Sequence, residues 1–435
     1  MSTVDLCEWQ TLRPDRGSPL AERNLNDNVA SRKLAEQLTA SGRIEVLELA
    51  WGIELRATSF VGRFSLGDVT VTVHPKISGA PFLNLLRYAY GLQHHKLYEP
   101  VGYASDKWAF QDLLVQQLTA EIAELLARVM HRDYERTSAE LANPRGKIEF
   151  DSFVGMAHHA RAALPCTHHP RTEDTILNQV LLAGMKYATQ LTADHGLRGR
   201  LGDLSKTLRA TVSQKKLDEN LLAEARRKMD RRTTAYESSL GLIELLFGDK
   251  GVSFEAKATS VQLPGFLFDM NRFFQTLLSR FLHDHLDVFY EIQDEYRLKE
   301  LFCYDSDQNP QKRQPPFQKP DFVIRWNRQI VAILDAKYRD LWEKPLPPGM
   351  LYQLALYALG QSGNDRKAVI LYPSLAAGAR DQVIFIREPV GGAAQAKVIL
   401  RPVNLLELEK ILRGKDWHAN QRKKDFAHQL SFGVV

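Results

Sequence analysis

The fold of the C-terminal part of this 435-residue chain is decided by residues 319–337, KPDFVIRWNRQIVAILDAK. Two apolar runs within it, Phe322–Ile324 and Ile330–Leu334, are rich in the β-branched residues that favour strands. The short segment Trp326–Arg328 separates them, which predicts a β-hairpin. In a hairpin, residues that precede the first strand lie beside residues that end the second.

Acidic residues occupy both of those places. Asp321 precedes the first strand and Asp335 ends the second, so we expect the two carboxylates to converge at one edge of the sheet. Side chains alternate between faces along a strand, which puts Asp335 and Lys337 on the same side. This pattern suits phosphodiester hydrolysis, in which the carboxylates and the Ala336 carbonyl hold Mg²⁺ while Lys337 orients or deprotonates the attacking water. An ordinary surface Asp-x-Lys at a strand end is the alternative interpretation.

A helix is predicted over Met350–Leu359, followed by a strand at Ala368–Tyr372. Gln353 and Tyr357 lie four residues apart within this helix and so share one face. The pattern resembles the Q-x-x-x-Y signature of RecB-like members of the PD-(D/E)xK nuclease superfamily. The resemblance implies a restriction-endonuclease-like C-terminal domain in which Gln353 and Tyr357 support the active site. The β–β–α–β order of this part also indicates a mixed α/β fold.

Three further segments extend the resemblance along the chain. They are Thr70–Ile77, Pro144–Ile148 and Phe266–Phe274, and in this order they are similar to the McrC family. The resemblance implies the nuclease subunit of a 5-methylcytosine-specific restriction system, a Mg²⁺-dependent endonuclease that cleaves double-stranded DNA within a complex. It also implies a partner, a McrB-type AAA+ GTPase that forms a hexameric ring. The subunit would stimulate GTP hydrolysis by this partner. The sequence has no G-x-x-x-x-G-K-[ST] phosphate loop, so we expect no bound nucleotide on this chain.

The chain departs from the McrC family at Gln275. Members of that family usually carry a Glu here, after a Phe that this chain keeps as Phe274. A neutral amide is a weaker metal ligand than a carboxylate. Three interpretations stay open: the two aspartates suffice, another acid such as Asp269 or Glu291 substitutes for the missing one, or cleavage is slow.

The composition pattern divides the chain into two parts, with a boundary near Gly248–Gly251. Residues 1–250 are expected to be β-rich and helical and to contact the AAA+ partner, and residues 251–435 to form the PD-(D/E)xK nuclease domain. Periodicity also predicts elements within these parts. They are strands at 43–49 and 69–73, and helices at 109–130, 175–191 and 269–284.

Basic residues lie where they suit contact with DNA. The chain has a net charge of +5, which is too small to prove an anionic partner by itself. The Pro-rich stretch 309–319 contains Lys312, Arg313 and Lys319, and Arg328 lies in the hairpin turn. We expect these four side chains to contact the DNA backbone, with an ordinary surface loop as the alternative.

The composition excludes several other classes of protein. No apolar stretch approaches the roughly 20 residues that span a bilayer, so no membrane partner is expected. The N-terminus lacks the basic and apolar regions of a secretory signal. The 3 cysteines are too scattered for a disulfide framework or a zinc site. We therefore expect a cytoplasmic protein.

Two rival functions stay open on the sequence alone. One is a stand-alone RecB-like nuclease that acts in DNA repair and needs no motor. The other is an assembly subunit with weakened catalysis, which Gln275 would explain. The presence of Asp321, Asp335 and Lys337 together favours an active nuclease.

Overall fold

The structure is a computed structural model with 40% helix and 26% strand, which confirms the mixed α/β class. It describes a set of ranges that covers most of the chain: 2–25, 29–77, 79–91, 110–128, 130–149, 163–248, 265–298, 301–305, 307–361, 363 and 365–433. Most of the expected boundary at Gly248–Gly251 lies outside these ranges. Among the helices within them, none has the length and apolar character needed to cross a membrane.

The helices of the described residues follow one another along the chain as α1 (Val29–Ala40), α2 (Gly79–Ala89), α3 (Phe110–Ala127), α4 (Ile176–Leu191), α5 (His195–Arg209), α6 (Glu219–Arg227), α7 (Glu237–Gly248), α8 (Met270–His285), α9 (Pro348–Leu359), α10 (Leu405–Arg413) and α11 (Trp417–Phe432). A short 3₁₀ helix spans Thr234–Tyr236. The predictions at 109–130, 175–191 and 269–284 are confirmed as α3, α4 and α8 within a few residues at either end.

The strands are β1 (Ser2–Cys7), β2 (Thr11–Leu12), β3 (Ile44–Leu49), β4 (Gly52–Ala57), β5 (Phe60–Leu66), β6 (Val69–His74), β7 (Asp133–Tyr134), β8 (Thr137–Leu141), β9 (Lys147–Ile148), β10 (Leu164–His168), β11 (Arg171–Thr172), β12 (Gly265–Asp269), β13 (Glu291–Asp294), β14 (Phe322–Trp326), β15 (Gln329–Ala336), β16 (Lys367–Ser374), β17 (Gln382–Arg387) and β18 (Ala394–Asn404). The predictions at 43–49 and 69–73 are confirmed as β3 and β6. Two of the sheets have the strand orders β1-β6-β5-β12 and β2-β4-β3.

The chain divides into two compact units, each built from separate segments. The first unit is Met1–Thr3, Gly62–Thr72 and His94–Leu267. The second unit is Val4–Val61, Val73–Gln93 and Phe268–Val435. Segments from the first 93 residues therefore share a unit with the whole C-terminal part.

The first unit is mainly helical, with α3, α4, α5, α6 and α7 packed on one another. Its small sheets have the orders β8-β10-β9 and β11-β7. Thr175 caps α4, because its hydroxyl accepts a hydrogen bond from the backbone N–H of Asn178.

A six-stranded sheet dominates the second unit, with the order β13-β14-β15-β16-β18-β17. Strands β13, β14 and β15 are antiparallel neighbours, whereas β16 runs parallel to β15. A parallel pair needs a crossover connection, and α9 supplies it between β15 and β16. Buried side chains of α9 pack with apolar residues of the sheet, including Leu354, Tyr357, Val323, Ile333 and Ile370. The predicted β–β–α–β order is confirmed.

The predicted hairpin is confirmed as β14 and β15. Its turn is tighter than the expected Trp326–Arg328, because Trp326 pairs with Gln329 and only two residues connect the strands. Asn327 and Arg328 both have positive φ, 48° and 66°. Two such residues form the turn whose twist matches that of the flanking strands.

Candidate active site

The two predicted acids meet at the open end of this hairpin. Phe322 pairs with Leu334, so Asp321, one residue earlier, lies beside Asp335 and Ala336. One carboxylate oxygen of Asp321, Oδ2, accepts a hydrogen bond from the backbone N–H of Ala336 at 2.7 Å. The convergence predicted from the hairpin register is thus present in the structure.

Lys337 lies on the same side of the strand as Asp335, as alternation predicted. Its Nζ is 2.8 Å from Oδ2 of Asp335, whose side chain is almost entirely buried. The backbone N–H of Lys337 donates to the carbonyl of Leu371 on β16, which fixes the chain where β15 ends. The lysine is therefore held in place through both its backbone and its side chain.

Burial and mutual repulsion shape the charges of this site. Burial raises the pKa of Asp321 to about 6, and the nearby charge of Asp335 adds to that rise. Burial alone would lower the pKa of Lys337, but the charge and hydrogen bond of Asp335 outweigh it, so this pKa is raised. The lysine thus stays protonated. The repulsion between the two aspartates also favours a further positive charge next to them.

Gln353 and Tyr357 lie four residues apart on α9, whose buried side chains pack on the sheet. The side-chain amide of Gln353 donates to the Tyr357 hydroxyl at 2.7 Å. Burial raises the pKa of Tyr357 to about 12, and the charges of Asp335 and Asp321 contribute to this rise. Tyr357 therefore stands close to both acids as a neutral hydroxyl, and its supporting role stays a prediction.

Gln275 occupies the position at which the McrC family usually has a Glu. It lies on α8, and its Nε2 donates to Oδ1 of Asp321 at 3.0 Å. The two acids considered as substitutes have other partners. Asp269 caps α8 by accepting from the N–H of Asn271 at 2.9 Å, and Glu291 pairs with Arg325. Their substitution for the missing Glu stays a prediction.

The donor set fits a hard cation such as Mg²⁺. Two carboxylates, Asp321 and Asp335, converge, and the Ala336 carbonyl lies in the same segment, as oxygen ligands for this ion require. In the described part of the chain, no group of three or more His, Cys, Asp and Glu side chains is arranged to hold a metal. Water would therefore have to complete the coordination, as is usual for Mg²⁺.

The four basic residues predicted to contact DNA are all exposed. Lys319 forms an ion pair with Glu295. In the loop before it, the N–H of Arg313 donates to the Asn309 side chain at 2.9 Å. Lys312 has a left-handed backbone conformation within this loop. Their contact with DNA, like that of Arg328, stays a prediction.

Sequence reasoning missed Glu8, which contacts the residue after Lys337. Its Oε1 accepts from the Tyr338 hydroxyl at 3.0 Å and from the Lys76 N–H at 2.7 Å. Glu8 and Tyr338 are both buried. A separation of 330 residues leaves no periodic or spacing signal; only the resemblance of Thr70–Ile77 to the McrC family points to this region.

Fold and site together define a mixed α/β protein with a buried carboxylate–lysine centre at a hairpin end. The family model described as "McrBC 5-methylcytosine restriction system component" matches residues 55–373. The chain belongs to this family, which confirms the resemblance noted in the sequence.

One solved structure shows a similar fold over nearly the whole chain. A chain from the half-complex of a tetradecameric assembly of Thermococcus gammatolerans McrB AAA+ hexamers with bound McrC is 19% identical, with a TM-score of 0.66 over 98% of this chain and 99% of that chain. A chain from the Thermococcus gammatolerans McrBC complex is 18% identical, with a TM-score of 0.48 over 65% of this chain and 87% of that one. No curated protein matches the chain significantly.

Proposed function

We propose that this protein is the nuclease subunit of a modification-dependent restriction system and cleaves DNA that contains 5-methylcytosine. Membership of the McrBC family supports the system. One observation carries the activity: Asp321 and Asp335 converge at the end of a hairpin, and Lys337 is fixed there by a 2.8 Å ion pair with Asp335. This combination of charges suits hydrolysis of a phosphodiester by a bound cation.

Each residue of the site has a separate role in this proposal. Asp321, Asp335 and the Ala336 carbonyl would hold Mg²⁺, whose chemistry is to lower the pKa of a bound water and to neutralise phosphate charge. Lys337 orients the attacking water and stabilises negative charge on the phosphate. The Gln353–Tyr357 hydrogen bond would hold the tyrosine hydroxyl in position to support the acids.

We further propose that the chain works with a McrB-type AAA+ GTPase and stimulates GTP hydrolysis by this partner. The structure with a similar fold comes from an assembly of McrB AAA+ hexamers with bound McrC. In this scheme the partner selects and translocates modified double-stranded DNA. The DNA backbone near the site would contact four exposed basic side chains, those of Lys312, Arg313, Lys319 and Arg328.

The test is plasmid cleavage by the reconstituted complex of this chain and its McrB-type partner, with GTP and Mg²⁺. Methylated and unmethylated plasmids are compared for the wild type and for Asp335→Asn. Asp365→Asn is the matched control, because Asp365 is an exposed carboxylate that pairs with Lys367 at 3.0 Å, away from the site. We expect Asp335→Asn to abolish cleavage and Asp365→Asn to leave it unchanged. Full cleavage by Asp335→Asn would refute the assignment.

The same assay, with GTP hydrolysis by the partner measured alongside cleavage, separates the two rival functions. Cleavage by this chain alone, without partner or nucleotide, would favour a stand-alone RecB-like repair nuclease. Stimulated GTP hydrolysis without cleavage would favour an assembly subunit with weakened catalysis, which the neutral amide at Gln275 would explain.

A further inference from the structure

A cleft of about 320 Å³ lies within the first unit, and none of its lining residues belongs to the candidate active site. We call it the arginine cleft. Its polar lining consists of Arg128, His131, Arg132, Arg171, Arg232 and Tyr236. No role assigned above uses these side chains.

Buried hydrogen bonds hold the walls of the arginine cleft in place. The side-chain amide of Asn178, which is fully buried, donates to the carbonyl of His131 at 3.0 Å and to that of Glu173 at 2.7 Å. The hydroxyl of Tyr236 donates to Asn178 at 2.8 Å and accepts from the N–H of His131 at 2.9 Å. These bonds fix the His131 backbone and the Tyr236 ring in the wall of the cleft, whereas its arginine side chains lie at the surface.

The charge of the cleft is only partly neutralised. Arg132 donates to Glu173 at 2.9 Å, and Arg128 pairs with Glu124. Arg171 and Arg232 are exposed and form no ion pair with any carboxylate in the described ranges. Two of the four guanidinium groups are therefore available for an anion.

The surroundings of these two arginines indicate which anion fits. The Arg171 guanidinium lies over the ring of Tyr134 at 5.7 Å, and this ring is 66% exposed. The Asp230 carboxylate accepts hydrogen bonds from the backbone N–H groups of Arg232 and Thr233. It contacts the backbone of Arg232 in this way and forms no ion pair with its guanidinium. The contact with Tyr134 holds the Arg171 guanidinium at the surface, and guanidinium forks match the oxygens of phosphate groups.

We propose that the arginine cleft binds the phosphodiester backbone of DNA, with Arg171 and Arg232 as the contacting residues. It would be a second DNA contact, separate from the candidate active site. The proposal rests on the proposed function only in taking DNA as the substrate.

The test is binding of a fluorescein-labelled DNA duplex to the full chain, measured by anisotropy with EDTA in place of metal. The cleft variant is Arg171→Gln/Arg232→Gln. Arg200→Gln/Arg209→Gln is the matched control, because both residues are exposed on α5 of the same unit and their replacement removes the same charge. Arg171→Lys/Arg232→Lys changes the same two positions but keeps their charge. DNA binding by this variant would show that changes at these positions do not by themselves disrupt the fold.

At about 0.1 M salt we expect the cleft variant to bind roughly tenfold more weakly, with the slope of log K against log salt smaller by about two. The control should bind within about twofold of the wild type, and the lysine variant should retain most of the affinity. Equal loss in both glutamine variants, or no binding by the wild type, would overturn the proposal. Unchanged DNA binding with lost binding of the AAA+ partner would assign the cleft to a protein interface and would also overturn it. Cleavage is not part of the readout, so failure of the nuclease assignment is distinguishable from failure here.

Discussion

Replacing Glu8 by Gln should remove a large part of the pH dependence of stability. The Glu8 side chain is only 2% exposed, so solvent screens it little. Burial raises its pKa from the ordinary 4.5 to about 7, although hydrogen bonds from Lys76 and Tyr338 and the charge of Lys344 oppose that rise. The folded protein therefore holds the Glu8 proton more tightly than the unfolded chain does. This contribution to stability is complete below about pH 4.5 and is lost as the pH rises through about 7.

The size of the effect follows from the rise of the pKa. A difference between 4.5 and about 7 corresponds to roughly 3 kcal/mol between acidic and alkaline conditions. A glutamine keeps an oxygen for the Lys76 and Tyr338 hydrogen bonds but does not titrate. The Glu8→Gln variant should therefore lose roughly 3 kcal/mol less of its unfolding free energy between pH 4.5 and pH 8 than the wild type.

Urea denaturation followed by tryptophan fluorescence at a series of pH values measures this difference. Subtracting the variant curve from the wild-type curve cancels every other titrating group, including Asp321. Glu36→Gln is the matched control, because Glu36 is an exposed acid on α1 that pairs with Arg32. If wild type and Glu8→Gln show parallel pH dependence, Glu8 is not a buried titrating acid and the reasoning is wrong.

Three further predictions concern single residues. Gln275→Glu should lower the Mg²⁺ concentration needed for half-maximal cleavage by roughly tenfold, because it adds a carboxylate 3.0 Å from Asp321; an unchanged metal titration would contradict this. Asn178→Ala should lower the unfolding free energy by roughly 3 kcal/mol in urea melts, since it leaves buried backbone carbonyls unpaired. Gly62→Ala should destabilise the fold by roughly 2–4 kcal/mol, because a Cβ would lie 2.1 Å from the Phe266 carbonyl oxygen, and an unshifted melting temperature would refute it.

The sequence predicted what depends on neighbouring residues. A short turn sets the hairpin and the meeting of its two acids, and strand alternation puts Asp335 and Lys337 on the same side of the strand. Both effects operate over a few residues. The sequence did not predict contacts between distant segments. Glu8 reaches Tyr338 across 330 residues, and no periodicity encodes which distant partner a buried side chain finds. Strand β13 was also missed, because its four residues Glu291–Asp294 mix polar and apolar side chains without a clear period.

The neutral amide at Gln275 leaves the site with one negative charge fewer than a carboxylate at this position would give it. Asp321 is buried beside Asp335, and its pKa is already raised to about 6. A third carboxylate in place of Gln275 would raise it further and destabilise the folded protein without metal. Gln275 instead donates a hydrogen bond to Asp321. On the proposed function it would weaken cation capture, since an amide is a poorer ligand than a carboxylate. On the proposed function, the phosphate of bound DNA would supply the missing negative charge, so the cation would bind best only when substrate is in place.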